Sequence, residues 1–342
     1  MEVRGEVREA RRAWPRANRE TAVLAALDLG TNNCRLLIAR PEARSFRVID
    51  AFSRIVRLGE GLSRGNALSP QAMERTLAAL MVCSEKMLRR GVTRARAVAT
   101  EACRSAENCE SFLARVQAQT GIGIEIISAM EEGRLALAGC AALLEPELPY
   151  ALVFDIGGGS TELMWLRVAR CGPPVLLDQI SIRRGVVSLA ERYGGDRVSP
   201  ETYAAITSEI THALSAFEAR HRIRQTLDAG EVQMLGTSGT VTTLAGMHQG
   251  LRRYERARVD GSYLSREEIQ SVVRGLLALD YEGRASHPCV GSERADLVIA
   301  GCAVLEAILG LWPVPRLRIA DRGLREGILV DLLAHCRGGN RP

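Results

Sequence analysis

The chain has 342 residues, of which 46% are hydrophobic and 25% charged, and its formal net charge is +5. This composition is typical of a soluble globular protein with room for two domains. No apolar run approaches the roughly 20 residues of a membrane span, and the cysteines lack the C-x-x-C spacing of a zinc site, so a cytoplasmic protein with reduced thiols is expected.

The first half of the chain predicts an arm followed by a mixed α/β domain. Residues 1–20 are polar and arginine-rich, without the apolar segment of a secretory signal, and are interpreted as a mobile arm. The first domain is assigned to 21–145. Apolar runs and periodicity predict strands at 22–27, 34–40, 46–58, 96–100 and 122–128. Helices are predicted at 70–90 and 131–144, and a further helix follows the segment 100–108 and runs to about 120.

The second half repeats this order with additional helices. A linker is predicted at 144–149, and the second domain is assigned to 150–336. Its predicted strands are 151–155, 161–168, 175–183, 232–235 and 317–320. Its predicted helices are 185–193, 200–222, one after 240, 265–279, 294–310 and 323–336.

The segment from Val153 to Leu163 carries the clearest chemical signal. An apolar strand delivers Asp155 to its end and then breaks into Gly157, Gly158 and Gly159. Glycine permits positive φ and close backbone approach, and successive N–H groups in such a turn suit an anion, above all a phosphate. Mg²⁺ between Asp155 and the phosphate would explain the carboxylate. The alternative is an ordinary glycine-rich hairpin, because one such loop is a weak motif.

Residues 27–36 repeat this pattern and align with 154–163 without a gap. Both segments read apolar residue, Asp, apolar residue, Gly, four turn residues, a charged residue and Leu. Such a repeat indicates a duplicated unit. Two hairpins facing each other would bracket one phosphate chain and its metal, so the predicted site lies in the cleft between the halves.

Other features could belong to this site, and each has a structural alternative. The loop 236–240 precedes a helix, where an anion site and a plain N-cap are both expected. Arg104 and Asn108 follow a strand end, where such residues are more often structural. Glu131 and Glu132 open a helix, which the helix dipole alone favours, although one of them could be a general base. The sequence has no Walker, nucleophile-elbow or dinucleotide-binding motif.

Together these motifs closely resemble the exopolyphosphatase/guanosine pentaphosphate phosphohydrolase family. The resemblance extends over about 23–333 and is carried by the segments 28–35, 99–108, 131–134, 155–163, 236–240, 294–296 and 320–327. It implies an α/β fold of duplicated ribonuclease-H-like (actin-like) domains with the active site in the interdomain cleft.

The resemblance also implies roles for individual residues. Glu132, the second Glu of a Glu-Glu-x-Arg motif, would be the general base, and Arg104 would grip a substrate phosphate. Asp155 would hold Mg²⁺, or Mn²⁺ in its place, with Asp28 and Glu162 lining the metal and water positions. The phosphate chain would lie on Gly30, Thr31, Asn32, Asn33, Arg35, Gly157, Gly158, Gly159, Ser160, Thr161, Thr237, Ser238 and Gly239.

The expected activity is Mg²⁺-dependent release of terminal orthophosphate from inorganic polyphosphate, with guanosine pentaphosphate as the alternative substrate. A kinase or ATPase of the same superfamily and a non-catalytic sensor of polyphosphate or alarmones are the alternatives from other classes. No nucleic-acid or membrane partner is expected. Long family members append a helical region after the second domain, and a homodimer could replace the tunnel that such a region would supply.

Overall fold

The computed structural model describes residues 22–43 and 45–338, so the predicted arm at 1–20 lies outside the described residues. The first half contains the strands Leu24–Leu29 (β1), Asn33–Pro41 (β2), Phe46–Ile55 (β3), Arg94–Ala99 (β4) and Ile124–Ile126 (β5). Its helices are Leu62–Gly65 (α1), Pro70–Arg89 (α2), Glu101–Ser105 (α3), Cys109–Thr120 (α4) and Ala129–Cys140 (α5), followed by a 3₁₀ turn at Ala141–Leu143.

The second half contains the strands Tyr150–Ile156 (β6), Thr161–Arg167 (β7), Val175–Ile182 (β8), Val232–Thr237 (β9), Tyr263–Ser265 (β10) and Arg316–Ala320 (β11). Its helices are Val186–Tyr193 (α6), Pro200–His221 (α7), Ile223–Asp228 (α8), Gly239–His248 (α9), Arg256–Val259 (α10), Arg266–Leu277 (α11), Tyr281–Ser286 (α12), Val298–Leu311 (α13) and Leu324–Gly338 (α14).

Within the described residues, the strands form two sheets of matching topology. The first sheet has the order β3-β2-β1-β4-β5, and the second has the order β10-β11-β9-β6-β7-β8. In each sheet a hairpin and a third antiparallel strand are followed by two parallel strands, β4 and β5 in one and β9 and β11 in the other. The predicted duplicated α/β fold is confirmed, with β10 as an addition to the second sheet.

Local sequence signals explain where the main helices begin. Ser69 accepts a hydrogen bond from the amide of Ala72 and is followed by Pro70, so α2 begins with a side-chain cap and a proline in its first turn. Ser128 caps α5 in the same way, by accepting a hydrogen bond from the amide of Glu131. This cap fixes the start of the helix that carries Glu132.

Two helices connect the halves. The helix α14 packs through Ile328 and Leu329 on the first sheet, whereas the end of α5 packs through Leu137 and Cys140 on the second sheet. The helices cross closely, because a Cβ added at Gly327 would overlap the carbonyl of Leu135. The domain boundaries at 145 and 150 stay a prediction, but the packing of α14 shows that this helix belongs spatially to the first sheet as well.

Several short elements differ from the predictions. The predicted strand 46–58 ends at Ile55, and the predicted helix 294–310 begins only at Val298. The strand β10 and the helices α1, α3, α8, α10 and α12 were not predicted, because segments of three to six residues are too short to display a hydrophobic period. None of the helices in the part of the chain that the structure describes has the length and apolar character needed to cross a bilayer.

Candidate active site

A cavity of about 730 Å³ lies between the halves and collects most of the predicted site residues. Its lining includes the first and second hairpin turns, the 237–239 loop and the carboxylates of Asp28, Glu132 and Asp155. Arg104, Thr161 and Glu162 do not line it. The predicted location of the site in the interdomain cleft therefore agrees with the geometry, while these three residues require separate description.

The two hairpin turns have the same backbone geometry. In the first, the amide of Gly30 donates to the carbonyl of Asn33 at 2.9 Å, and in the second, the amide of Gly157 donates to the carbonyl of Ser160 at 2.9 Å. The turns follow the paired strands β1–β2 and β6–β7, which are antiparallel in both sheets. The duplication seen in the sequence is thus a duplication of turn geometry.

The glycines of the second turn are required by close packing rather than by backbone conformation. None of Gly157, Gly158 and Gly159 has φ in the left-handed region, which corrects the expectation that positive φ explains them. A Cβ at Gly159 would lie 2.6 Å from Thr31 Oγ1, and one at Gly158 would lie 3.2 Å from the amide nitrogen of Asn32. The missing Cβ atoms let the two turns approach each other across the cleft.

Asp28 and Asp155 face the cavity as unpaired carboxylates. No described residue forms a side-chain hydrogen bond or ion pair with either of them. Burial raises the pKa of Asp28, against the opposing charge of Arg35. Burial and then the charge of Glu162 raise the pKa of Asp155 to about 7. Both carboxylates therefore lie where a cation would relieve an unfavourable charge.

Glu132 is held at the cavity wall by Arg104. Arg104 Nη1 donates to Glu132 Oε2 at 2.7 Å and to the carbonyl of Ile127 at 2.9 Å, while its Nε donates to Glu101 Oε2 at 3.0 Å. Burial and the charge of Glu162 raise the pKa of Glu132 well above its usual value, against the effect of Arg104. In this structure Arg104 contacts Glu132 and does not line the cavity, so the geometry supports orientation of the carboxylate, and the phosphate contact stays a prediction.

The neighbouring Glu131 has a different environment. It accepts hydrogen bonds from Arg96 at 2.9 Å and from Arg134 at 2.7 Å, and it does not line the cavity. The hydrogen bond from Arg134 is the largest cause of its lowered pKa. The structure therefore separates the two acidic residues that the sequence left equivalent, and only Glu132 is placed for chemistry.

Thr161 and Glu162 lie behind the second turn. The hydroxyl of Thr161 donates to the carbonyl of Arg184 at 2.7 Å. Glu162 is buried and accepts hydrogen bonds from the hydroxyls of Ser160 at 2.6 Å and Ser181 at 2.8 Å. These contacts support the turn, and the expected roles of both residues at the substrate and metal positions stay predictions.

The loop before α9 uses its hydroxyls internally. Ser238 Oγ accepts hydrogen bonds from the amides of Thr240 and Val241, and Thr237 Oγ1 donates to the carbonyl of Arg322 at 3.0 Å. Ser238 has φ 151° and ψ 171°, a region that non-glycine residues seldom occupy and that is often found at ligand sites. The hydroxyl of Ser238 thus acts as the N-cap of α9. An anion at this loop would be bound by backbone groups instead of this hydroxyl.

Arg294 and Arg325 also reach the cavity, whereas the arginines that the sequence predicted for the site were Arg35 and Arg104. These three guanidinium groups have no ion-pair partner among the described residues, and Arg294 has a single contact, with Thr243 Oγ1 at 3.5 Å. Burial lowers the pKa of both Arg294 and Arg325, and the charge of Arg35 adds to the effect. Their positions within the family-like segments 294–296 and 320–327 were the available signal.

The donor set fits Mg²⁺ in its usual protein mode. No three His, Cys, Asp or Glu side chains among the described residues form a cluster that could hold a metal without other ligands. Mg²⁺ is commonly held by one or two carboxylates together with waters and substrate phosphates. Asp28 and Asp155 are unpaired among the described residues and face the cavity between the two hairpin turns. They therefore provide that arrangement.

Comparison with known proteins identifies the family of this chain. A family model described as the Ppx/GppA phosphatase family matches residues 37–336. One similar protein of known crystal structure is an Aquifex aeolicus member of that family, with 28% sequence identity. The match covers 94% of this chain and 99% of the Aquifex chain, with a TM-score of 0.76. An exopolyphosphatase-like protein is 28% identical with coverages of 92% and 98% and a TM-score of 0.82.

An exopolyphosphatase from Cytophaga hutchinsonii has the same fold, with 24% identity, coverages of 92% and 98% and a TM-score of 0.82. The family model spans most of the chain, including the second turn and Glu132, and its match begins after the first turn. The chain therefore belongs to the Ppx/GppA phosphatase family.

Proposed function

We propose that this protein is a Mg²⁺-dependent phosphohydrolase that releases terminal orthophosphate from inorganic polyphosphate. The observation that carries the proposal is the placement of Glu132, a carboxylate of raised pKa, in the same cavity as two unpaired carboxylates and two matching turns. Family membership supports a phosphatase, and the geometry supports phosphoanhydride cleavage at this place.

Glu132 would accept the proton of the attacking water. A carboxylate serves as a general base when burial and neighbouring anions raise its pKa, as burial and Glu162 do here. Arg104 fixes the rotamer of Glu132 through the 2.7 Å contact with Oε2. The other carboxylate oxygen, Oε1, has no hydrogen-bond partner among the described residues, which leaves it available to orient water.

The substrate phosphates would lie between the two turns. Backbone amides of the turns and the guanidinium groups of Arg35, Arg294 and Arg325 supply donors and positive charge for a chain of phosphates. Asp28 and Asp155 would hold Mg²⁺, which would neutralise charge on the phosphoryl oxygens when bound. Since phosphoryl transfer depends mainly on positioning and charge stabilisation, these groups account for the principal requirements.

The test is phosphate release measured with polyphosphates of several lengths, guanosine pentaphosphate, and ATP with and without a sugar, each with Mg²⁺ and with EDTA. The proposal expects Mg²⁺-dependent release from polyphosphate at a higher kcat/KM than from the other compounds. Preferential release of phosphate from guanosine pentaphosphate would show that this compound, and not polyphosphate, is the substrate, while the proposed hydrolysis would stand. Transfer of phosphate from ATP to a sugar would contradict the proposal and favour a kinase.

A further inference from the structure

The segment 56–61, which follows β3, is attached to the first hairpin turn through the backbone. The amides of Val56 and Arg57 donate to the carbonyl of Asn32 at 2.9 and 3.0 Å, and the amide of Gly59 donates to the carbonyl of Thr31 at 2.9 Å. A Cβ at Gly59 would overlap Thr31 Cγ2. The segment and the first turn therefore form one packed unit, and a movement of one displaces the other.

The same segment contacts the second half of the chain through a bidentate ion pair. Arg57 Nη1 donates to Asp296 Oδ2 at 2.8 Å, and Arg57 Nη2 donates to Asp296 Oδ1 at 3.0 Å. The Arg57 side chain is 31% exposed and that of Asp296 is 21% exposed. Paired N–H donors on a partly buried carboxylate fix direction as well as distance, which a single exposed contact does not.

The backbone conformation of Arg57 gives a second and independent indication. Its φ of 47° lies in the left-handed region, although the residue is not glycine. Such a conformation is unfavourable for a residue with a Cβ, and surrounding contacts must maintain it. Glycine would fit this turn without strain but could not reach Asp296, so the arginine side chain is the feature that the strained position retains.

The contacts of Arg57 flank Arg294 in the chain. Arg57 Nη2 also donates to the carbonyl of Glu293 at 3.2 Å, so contacts from Arg57 lie on both sides of Arg294 in the chain. Asp296 is packed on its other side, because a Cβ at Gly195 would overlap its carbonyl oxygen. Among the described residues, the Arg294 guanidinium has only the 3.5 Å hydrogen bond with Thr243 Oγ1, so its placement depends on the backbone around it.

We propose that the Arg57–Asp296 pair is a positioning element that holds the turn 293–296, and with it Arg294, against the first phosphate-binding turn. The inference rests on the proposed function, since it assigns the pair to binding of the phosphate chain. Arg57 and Asp296 do not line the same wall as Glu132 and would not touch the reacting atoms. Loss of the pair would lower the fraction of molecules in which both sides of the cleft are ready for substrate.

The experiment compares Arg57→Ala, Asp296→Asn, Arg57→Lys and the exchange Arg57→Asp with Asp296→Arg. A control is Arg115→Ala, which removes the Arg115–Glu74 ion pair within the first half. We expect Arg57→Ala and Asp296→Asn to raise KM for polyphosphate about tenfold with kcat within about threefold, because a smaller population of the binding-ready state raises the apparent dissociation constant before it affects chemistry. Arg57→Lys should show a smaller rise, and the exchange should recover most of the loss.

The inference fails if Arg57→Ala and Asp296→Asn leave KM within twofold of wild type, or if they lower kcat and melting temperature together as a structural defect would. Binding of polyphosphate to the same variants in a Glu132→Gln background separates this result from the proposed function. If wild type turns over no polyphosphate but binds it, the hydrolase proposal fails while the binding constants still test the pair. If wild type neither binds nor hydrolyses it, both proposals are wrong.

Discussion

Asp28 and Asp155 occupy equivalent positions in the two sheets but face opposite charges. Each is the penultimate residue of its strand, and in the antiparallel register Asp28 pairs with Arg35 whereas Asp155 pairs with Glu162. Arg35 lowers the pKa of Asp28 and Glu162 raises that of Asp155. The duplication therefore preserves the position of the carboxylate and changes its electrostatic surroundings.

This asymmetry predicts that Asp155→Asn separates stability from activity. Removing the charge relieves repulsion with Glu162 and Asp28, so the free energy of unfolding of the metal-free protein should rise by roughly 1 kcal/mol. Mg²⁺-dependent phosphate release should fall at least about 100-fold, since a cation ligand is lost. Thermal melting in EDTA and phosphate-release assays check both parts, and a variant that is both less stable and fully active would contradict them.

The crossing of α5 and α14 predicts a severe effect for Gly327→Ala. The added methyl would overlap the Leu135 carbonyl, so the free energy of unfolding should fall by about 3 kcal/mol or more. Gly275→Ala in α11 is the matched control, because no atom lies within 4 Å of the added Cβ and alanine favours a helix by about 0.5–1 kcal/mol. Urea denaturation of both variants should show changes of opposite sign.

The ion pair between Asp50 and Lys86, the only lysine of the sequence, predicts a pH-dependent contribution to stability. Hydrogen bonds from Lys86 and Arg90 lower the pKa of Asp50 to about 2. Because the folded-state pKa is below the usual value of 3.8, this stabilisation is complete above pH 3.8 and disappears as the pH falls through about 2.

Asp50→Asn should therefore lower the free energy of unfolding by about 1 kcal/mol at pH 7 and have little effect near pH 2. Asp228→Asn, which removes an exposed contact with Arg224, is the control and should have almost no effect at either pH. Equal losses from Asp50→Asn at both pH values would show that hydrogen-bond geometry, rather than charge, is responsible.

The unpaired arginines predict a salt-sensitive binding surface. Arg325→Gln should raise KM for polyphosphate by about tenfold and reduce its dependence on ionic strength, because one of the converging cations is lost. The same change should raise the melting temperature of the substrate-free protein slightly, since burial disfavours the charge of Arg325 and Arg35 adds repulsion. Kinetics at two salt concentrations test this, with exposed Arg266→Gln as the control.

The sequence predicted the fold and the two turns well because both are local patterns. The ten-residue repeat at 27–36 and 154–163 is visible without alignment, and it determines strand, turn and carboxylate together. The approach of Arg294 and Arg325 to the first turn depends on packing between distant segments, which a single sequence does not encode in a periodic form. Gly159 lies in the predicted turn, but the physical reason for a glycine there became clear only from its close approach to Thr31.

The residues alone could not separate the roles of Glu131 and Glu132 for the same reason, and only the family resemblance assigned the base to Glu132. Glu131 and Glu132 are adjacent and chemically identical, and only the direction of α5 determines which one meets Arg96 and which one meets Arg104. Arg104 follows a strand end, as a phosphate ligand would, but the approach of the carboxylates of Glu101 and Glu132 turns it toward the protein.

The most direct measurement is Mg²⁺-dependent phosphate release by Glu132→Gln compared with Glu131→Gln. Loss of the general base should lower kcat by about 10²–10⁴ while polyphosphate binding is retained. Glu131→Gln changes the same chemical group one residue away, outside the cavity, and should keep kcat within about threefold. Turnover by Glu132→Gln at the rate of wild type would contradict the assignment of Glu132 as the base.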